Sequence, residues 1–324
     1  MILDYPLRFQ PIFRRYLWGG RRLATVLGKT LPEGDDYAES WEIVDHRADQ
    51  SMVVAGCFAG WTLGDLVRQH GAALLGRHHP QPQFPLLFKF LDAQRDLSVQ
   101  VHPNDVQAAR LTPPDRGKTE AWIVLYAEPS SRIYAGLQAG VDEDALRHHL
   151  WQGTLPAVLH QFEPAVGDVV LVPAGTVHAL GKGLVVAEIQ QASDTTFRLF
   201  DWKRIGPDGK PRPLHIDQAL AVIDFDRGPV GPVMPEATTR PDVERLVNCD
   251  KFILDRWQLT DPQPLGGDQR CHLVAVLAGA TRVDRDATEN LLARGETALM
   301  PAQAGPINVS PNGGTATLLD IYLP

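Results

Sequence analysis

Two histidines, a carboxylate and an amide lie in strand-like runs of this chain in a pattern that suits a divalent cation. In 97-LSVQVHPND-105, apolar Leu97, Val99 and Val101 alternate with Ser98, Gln100 and His102. An extended backbone turns Gln100 and His102 to one side, their α-carbons about 7 Å apart. In 118-KTEAWIVLY-126 the same parity puts Lys118, Glu120, Trp122 and Val124 on one face and Ala121, Ile123 and Leu125 on the other. In 166-VGDVVLVPAGTVHAL-180 a strand runs into a Pro-Ala-Gly turn and re-emerges with His178 between Val177 and Ala179. A histidine in such apolar company needs a partner for each ring nitrogen, and a metal is one such partner. Each segment alone also fits a half-solvated strand or an exposed ion pair. Together, Gln100, His102, Glu120 and His178 form a mixed nitrogen and oxygen set suited to Zn²⁺, Fe²⁺ or Mn²⁺. The set lacks the thiolates of a closed structural zinc site and leaves positions for water or substrate.

Such residues need rigid strands beneath them. The 28 glycines and 26 prolines punctuate short runs rich in Val, Leu, Ile and Phe, which predicts a mainly β protein of sandwich or barrel type. Two segments read as small helices: 62-TLGDLVRQHGAALLG-76, opened by Thr62 and closed at Gly76, and 141-VDEDALRHHLWQG-153, acidic in its first turn. The aperiodic, proline-rich run 227-RGPVGPVMPEATTRPDV-243 reads as a linker and divides the chain into 1–240 and 241–324. The segments 167-GDVVLVPAGTVH-178 and 295-GETALMPAQAGP-306 share a glycine, five residues, a proline and four residues, and then end on His178 and Pro306 respectively. This echo implies two copies of one small β unit, of which only the first keeps a ligand.

Composition narrows the function. A length of 324 residues with 44% hydrophobic content supports one large core or two ordinary ones. A net charge of −8 without a dense Lys/Arg block argues against nucleic acid or an anionic membrane as the main partner. No run approaches the ~20 apolar residues of a membrane span, and MILDYPLRFQ lacks signal-peptide character, so a cytoplasmic setting is expected. Cys57, Cys249 and Cys271 are odd in number and scattered, and read as reduced packing residues. The histidine pairs 78–79 and 148–149 read as surface residues. Neither a G-x-G-x-x-G motif nor a P-loop is present, which argues against a nucleotide cofactor.

The run at Gly167, Pro173 and His178 resembles the second cupin motif, and Gln100-Val-His102 sits where cupins usually carry His-x-His. More closely, LLFKFLDAQRDLSVQVHPND, GKTEAW, VPAGTVHAL and EIQQASDTTFRLFDW, with LWGG at 17–20 and ESWEI at 39–43, resemble type I mannose-6-phosphate isomerases in their short bacterial form. The resemblance runs from about residue 5 to the carboxyl end. It implies two cupin-like, jelly-roll β-barrels with a few small helices, the second lacking metal ligands. It also implies one Zn²⁺ per chain in the first barrel, other divalent ions being compatible, and interconversion of mannose 6-phosphate and fructose 6-phosphate. Carried over residue by residue, His102, Glu120 and His178 become the metal ligands, joined by Gln100, and Arg198 takes the catalytic arginine's place. Lys118 follows by parity as a second catalytic group. The carboxylate lies 18 residues beyond His102, farther than in cupins generally but normal for this family, and Lys182 stands where cupins often have asparagine. Arg198, between Phe197 and Phe200, is expected to stack on aromatics. Arg14, Arg15, Arg21, Arg22, Lys203 and Arg204 are the candidate phosphate ligands. The competing expectations are a non-haem iron cupin oxygenase, since two histidines and a carboxylate also make a facial triad, and a non-catalytic sugar-binding bicupin. The expected partner in the isomerase case is a small sugar phosphate; sequence leaves the oligomeric state and the general base open.

Overall fold

The computed structural model describes residues 2–206 and 209–324. Its first half is a sandwich of two antiparallel sheets. The larger runs in the order Val169–Val172, Glu120–Ala127, Leu184–Gln191, Leu86–Ala93, Tyr37–Ile43, Ile12–Gly20. The smaller runs Leu159–Phe162, Ile133–Leu137, His178–Leu180, Val99–Val101, Phe197–Phe200. The alternation read from sequence holds: Trp122, Val124, Leu91 and Val186 point inward and meet Ile133, Ala135 and Leu180 of the smaller sheet. Val99 and Val101 point outward into a separate core with Leu146, Leu155 and Leu220, beneath the helix Glu143–Gln152.

The second half repeats the plan, with a six-stranded sheet from Glu236–Ala237 to Thr297–Met300 facing a four-stranded one that contains Pro306–Pro311. Val274, Val276 and Leu318 pack against Leu265, Ile307 and Val309 inside it. The two large sheets lie back to back. Phe88, Phe90, Ala121, Ile123 and Ile189 on one share a core with Leu254, Leu273, Leu319 and Ile321 on the other. This explains why strands such as LLFKFLDA and LVVAEIQQ are buried along their whole length: one face lines a sandwich, the other the seam between halves. The run from 227 to 243 is mostly irregular but tied down, Val230 and Val233 donating backbone hydrogen bonds to Ala135 and Val169.

The sequence echo has a register. Val172 pairs with Glu120 and Met300 with His272, each just before the proline of its copy. His178 and Pro306 then each open a strand of the opposite sheet. His272 therefore occupies Glu120's place and Pro306 occupies His178's. Both expected helices form, Leu63–Leu75 with a Thr62 capping box and Glu143–Gln152 capped by Asp142. The cysteines are free, but Cys57 is exposed rather than packed, since it lies in the turn after Gly56; Cys271 is buried and Cys249 partly so. His78 lies beside the chain end and His149 bonds Thr154 on the helix surface, as surface residues do.

Candidate metal centre

His102, Glu120 and His178 converge although they come from three segments and both sheets. They are 1% exposed, and their ligating atoms all lie within 4.8 Å of one another. Among the described residues they are the one group of three such side chains so placed. Glu120 Oε1 is 3.2 Å from His178 Nε2, and Glu120 Oε2 is 3.5 Å from His102 Nε2. Each imidazole is oriented from behind: His102 Nδ1 lies 2.9 Å from the Thr195 carbonyl and His178 Nδ1 2.9 Å from the Thr176 carbonyl. A carbonyl only accepts, so both Nδ1 atoms carry hydrogen, which leaves each Nε2 turned to the centre as the atom a metal would take. Gln100 completes the ring, its amide 3.4 Å from His178 Nε2. A half-turn of that amide presents its oxygen instead.

The wall beyond this centre carries Lys118, expected from strand parity, and further charges that the motif reading did not weigh. Lys118 Nζ is 3.1 Å from Glu120 Oε2 and 3.3 Å from His102 Nε2. Lys89 Nζ lies 3.3 Å from Glu188 and 3.6 Å from Glu39. Glu39, Glu120 and Glu188 against Lys89 and Lys118 make three buried carboxylates facing two buried ammoniums. Burial opposes the charge on Lys89, but Glu188, Glu39 and Glu120 outweigh it and raise its pKa. Burial and then the neighbouring Glu120 carboxylate push Glu188 up to about 7, against the pull of Lys89 and Lys118. Burial also disfavours ionised Glu120, yet Lys118 and the two histidines hold its carboxyl well below the usual range. Burial and Lys118 hold His102 well below its ordinary value, so it is neutral. The excess of buried carboxylates over ammoniums and the neutral His102 fit a bound divalent cation.

These groups line one side of a cavity of about 310 Å³, closed by Tyr16, Trp18, Ser98, Asp194, Arg198 and Arg212. All the sequence-derived site residues meet there: Gln100, Lys118, Glu120, His178 and Arg198 line it, and His102 stands behind Lys118. Arg198 lies opposite Gln100 on the neighbouring strand. It does not stack on an aromatic ring; Phe197 turns into the outer core, and Arg198 Nη1 donates to the Pro213 carbonyl at 2.8 Å.

None of the six basic residues expected at the phosphate lines this cavity. Arg14 pairs with Asp49, Arg15 with Asp36 and Arg22 with Glu128; Arg21 donates to the Pro32 and Gly34 carbonyls, and Arg204 pairs with Asp201. Arg15, Arg21 and Arg22 face a separate, open cavity on the far side of 16–20. Arg212, which carries no motif, comes instead, held by Asp201. Lys89 and Glu188 had a signal: a lone charge in an unbroken apolar run is buried on both strand faces and needs a partner. Asp194 and Arg212 had none.

Residues 7–133 match the family model of the phosphomannose isomerase type I catalytic domain. The chain is similar to the mannose-6-phosphate isomerase ManA of Bacillus subtilis (strain 168), with 35% identity over 307 residues, 93% of this chain and 94% of that one. It is also similar to the mannose-6-phosphate isomerase of Streptococcus mutans, with 34% identity over 298 residues, 91% and 92% of the two chains. The crystal structure of the mannose 6-phosphate isomerase from Bacillus subtilis matches with a TM-score of 0.89 at 28% identity, over 98% of this chain and all of that one.

Proposed function

The chain belongs to the type I phosphomannose isomerase family, and from that premise we propose that the His102–Glu120–His178 cavity is where it interconverts mannose 6-phosphate and fructose 6-phosphate. The observation that carries the reading is the pair of back-bonded imidazoles, whose Nε2 atoms meet one carboxylate in a buried pocket. The matched relatives are named as isomerases, so the oxygenase and non-catalytic alternatives give way.

The reaction moves a hydrogen between C1 and C2 and builds negative charge on a sugar oxygen. The enzyme is metal-dependent, and His102, Glu120, His178 and Gln100 would hold the ion. Two imidazoles, a carboxylate and an amide oxygen suit Zn²⁺, the ion the family resemblance implies. When bound, the ion supplies Lewis-acid stabilisation of negative charge on oxygen. The chain's own residues do the rest. Lys118 presents Nζ to the space above Glu120, where it orients a sugar hydroxyl or moves a proton. Arg198 sets a guanidinium across the cavity from Lys118 for electrostatic stabilisation of the developing charge. Arg212 lies on the same cavity wall and joins Arg198 in receiving the phosphate. Burial of the ligands excludes water from the reacting end.

An assay coupling fructose 6-phosphate formation to a reporter tests the reading. Chelation should abolish turnover of mannose 6-phosphate, and adding Zn²⁺ should restore it. Equal rates in metal-free and metal-loaded protein would sink it.

A further inference from the structure

The LWGG run at 17–20 sits in an interruption of the sheet. Strand Ile12–Gly20 pairs with Tyr37–Ile43, yet Arg15 and Gly20 both face Tyr37, so residues 16–19 arch out of the ladder. The arch is clamped at both feet. Tyr16 donates its N–H to Asp36 at 3.1 Å, and the Trp18 carbonyl accepts the Gln94 N–H at 2.8 Å. A Cβ at Gly19 would fall 2.5 Å from the Ala38 nitrogen, and one at Gly20 would overlap the Gln94 side chain. Only glycine lets the backbone lie this close.

The arch sends alternate side chains to opposite sides. Leu17 faces the outer, arginine-lined cavity. Tyr16 and Trp18 face the catalytic cavity, their rings stacked with centroids 5.5 Å apart and 21° between planes. Trp18 is buried at 5% exposure and supports Tyr16, which is 39% exposed. The Tyr16 hydroxyl makes no hydrogen bond within the described residues, although it is within electrostatic reach of Glu39, Asp194 and Lys89. The rest of the cavity is lined mostly by charged and polar groups, which match sugar hydroxyls and phosphate; besides Leu91, Leu97, Leu180 and Trp122, little of it matches the C–H face of a hexose. A rigid aromatic ring at the mouth, backed by a second ring, supplies that apolar face.

We propose that Tyr16 is a sugar-binding, specificity-determining residue whose ring covers a C–H face of the hexose and whose hydroxyl bonds one of its hydroxyl groups. The proposal rests on the isomerase reading of the same cavity. Trp18 acts through Tyr16 as a positioning residue, and the two glycines fix the arch that presents both.

The test uses full-length, metal-loaded protein and the variants Tyr16→Phe and Tyr16→Ala, with KM and kcat for mannose 6-phosphate, bound metal and melting temperature measured for each. Tyr16→Phe should raise KM roughly 3- to 10-fold through loss of one hydrogen bond, with kcat, metal content and melting temperature unchanged. Tyr16→Ala should lower kcat/KM on the order of 100-fold, mostly through KM. Wild-type KM in both variants would overturn the proposal, as would a fall in kcat at constant KM or a loss that tracks metal content or melting temperature. If Tyr16→Ala does not fold, Tyr16→Phe alone decides. Wild-type protein without turnover removes the isomerase reading and this one with it; wild-type turnover with unaffected variants removes this one only.

Discussion

His102 and His178 are each fixed twice, by a backbone carbonyl behind Nδ1 and by Glu120 in front of Nε2. Removing one imidazole from such a set leaves the other groups buried without their partner. His178→Ala is expected to weaken metal affinity by more than the 10- to 100-fold that loss of an outer partner typically costs. Elemental analysis after dialysis checks this; retention of one metal per chain with full activity would refute the ligand assignment. Lys118→Met removes a proton-bearing group without removing a ligand. Turnover should fall on the order of 100- to 10,000-fold while the bound metal stays, a split that steady-state kinetics and metal analysis on one sample resolve. At Lys89 the consequence is for folding. Lys89→Met leaves Glu188 and Glu39 buried without their ammonium, and the loss should be about 3–5 kcal/mol in urea unfolding.

The elements show how little backbone is needed to aim these groups. The turn between Val172 and His178 depends on Gly175, whose φ of +87° is left-handed and whose N–H donates to the His102 carbonyl at 2.9 Å. One glycine therefore joins the segments of two candidate ligands. In Gly175→Ala the new Cβ would sit 3.0 Å from Asp224 Cβ, in a backbone region that costs an alanine about 1–2 kcal/mol. The expected result is a lower melting temperature together with faster metal loss to a chelator. The Leu63–Leu75 helix provides the contrast. Its Thr62 cap accepts the Asp65 N–H at 3.1 Å far from the cavity, so Thr62→Ala should cost about 1 kcal/mol and leave turnover unchanged.

Over the whole molecule, two sandwiches share one seam, and the same register carries different chemistry in each. Where the first holds Glu120 and Glu188, the second holds His272 and Asp320, both buried. His272 Nδ1 lies 2.8 Å from Asp320 and Nε2 3.0 Å from Asp268, so an imidazolium bridging two carboxylates stands where the first sandwich gathers its candidate metal ligands. Burial opposes that charge, but the two aspartates outweigh it and push His272 up to about 10. The folded value exceeds the unfolded one of about 6.5. Its stabilisation is therefore complete below about pH 6.5 and is lost as pH rises through the folded value near 10. The melting-temperature advantage of wild type over His272→Gln should accordingly shrink between neutral pH and pH 10. An advantage that does not change with pH would contradict the charged imidazole.

Periodicity and spacing in the sequence determined a good deal. Strand parity put Gln100 with His102 and Lys118 with Glu120, capping residues marked both helices, and the repeated G-x5-P runs located corresponding turns in two β units, because these depend on local backbone geometry. The motif resemblance added the family and an expected ligand set. What only tertiary structure decided is which charges share a space. The clustered arginines of 14–22 looked suited to phosphate but pair with Asp49, Asp36 and Glu128 or with nearby carbonyls, while Arg212, without a motif, reaches the cavity. Lys89, Glu188 and Asp194 likewise became neighbours only when separate strands aligned. Side-chain direction follows a short-range period that sequence records, whereas the pairing of buried charges is fixed by strand register and sheet packing across long separations.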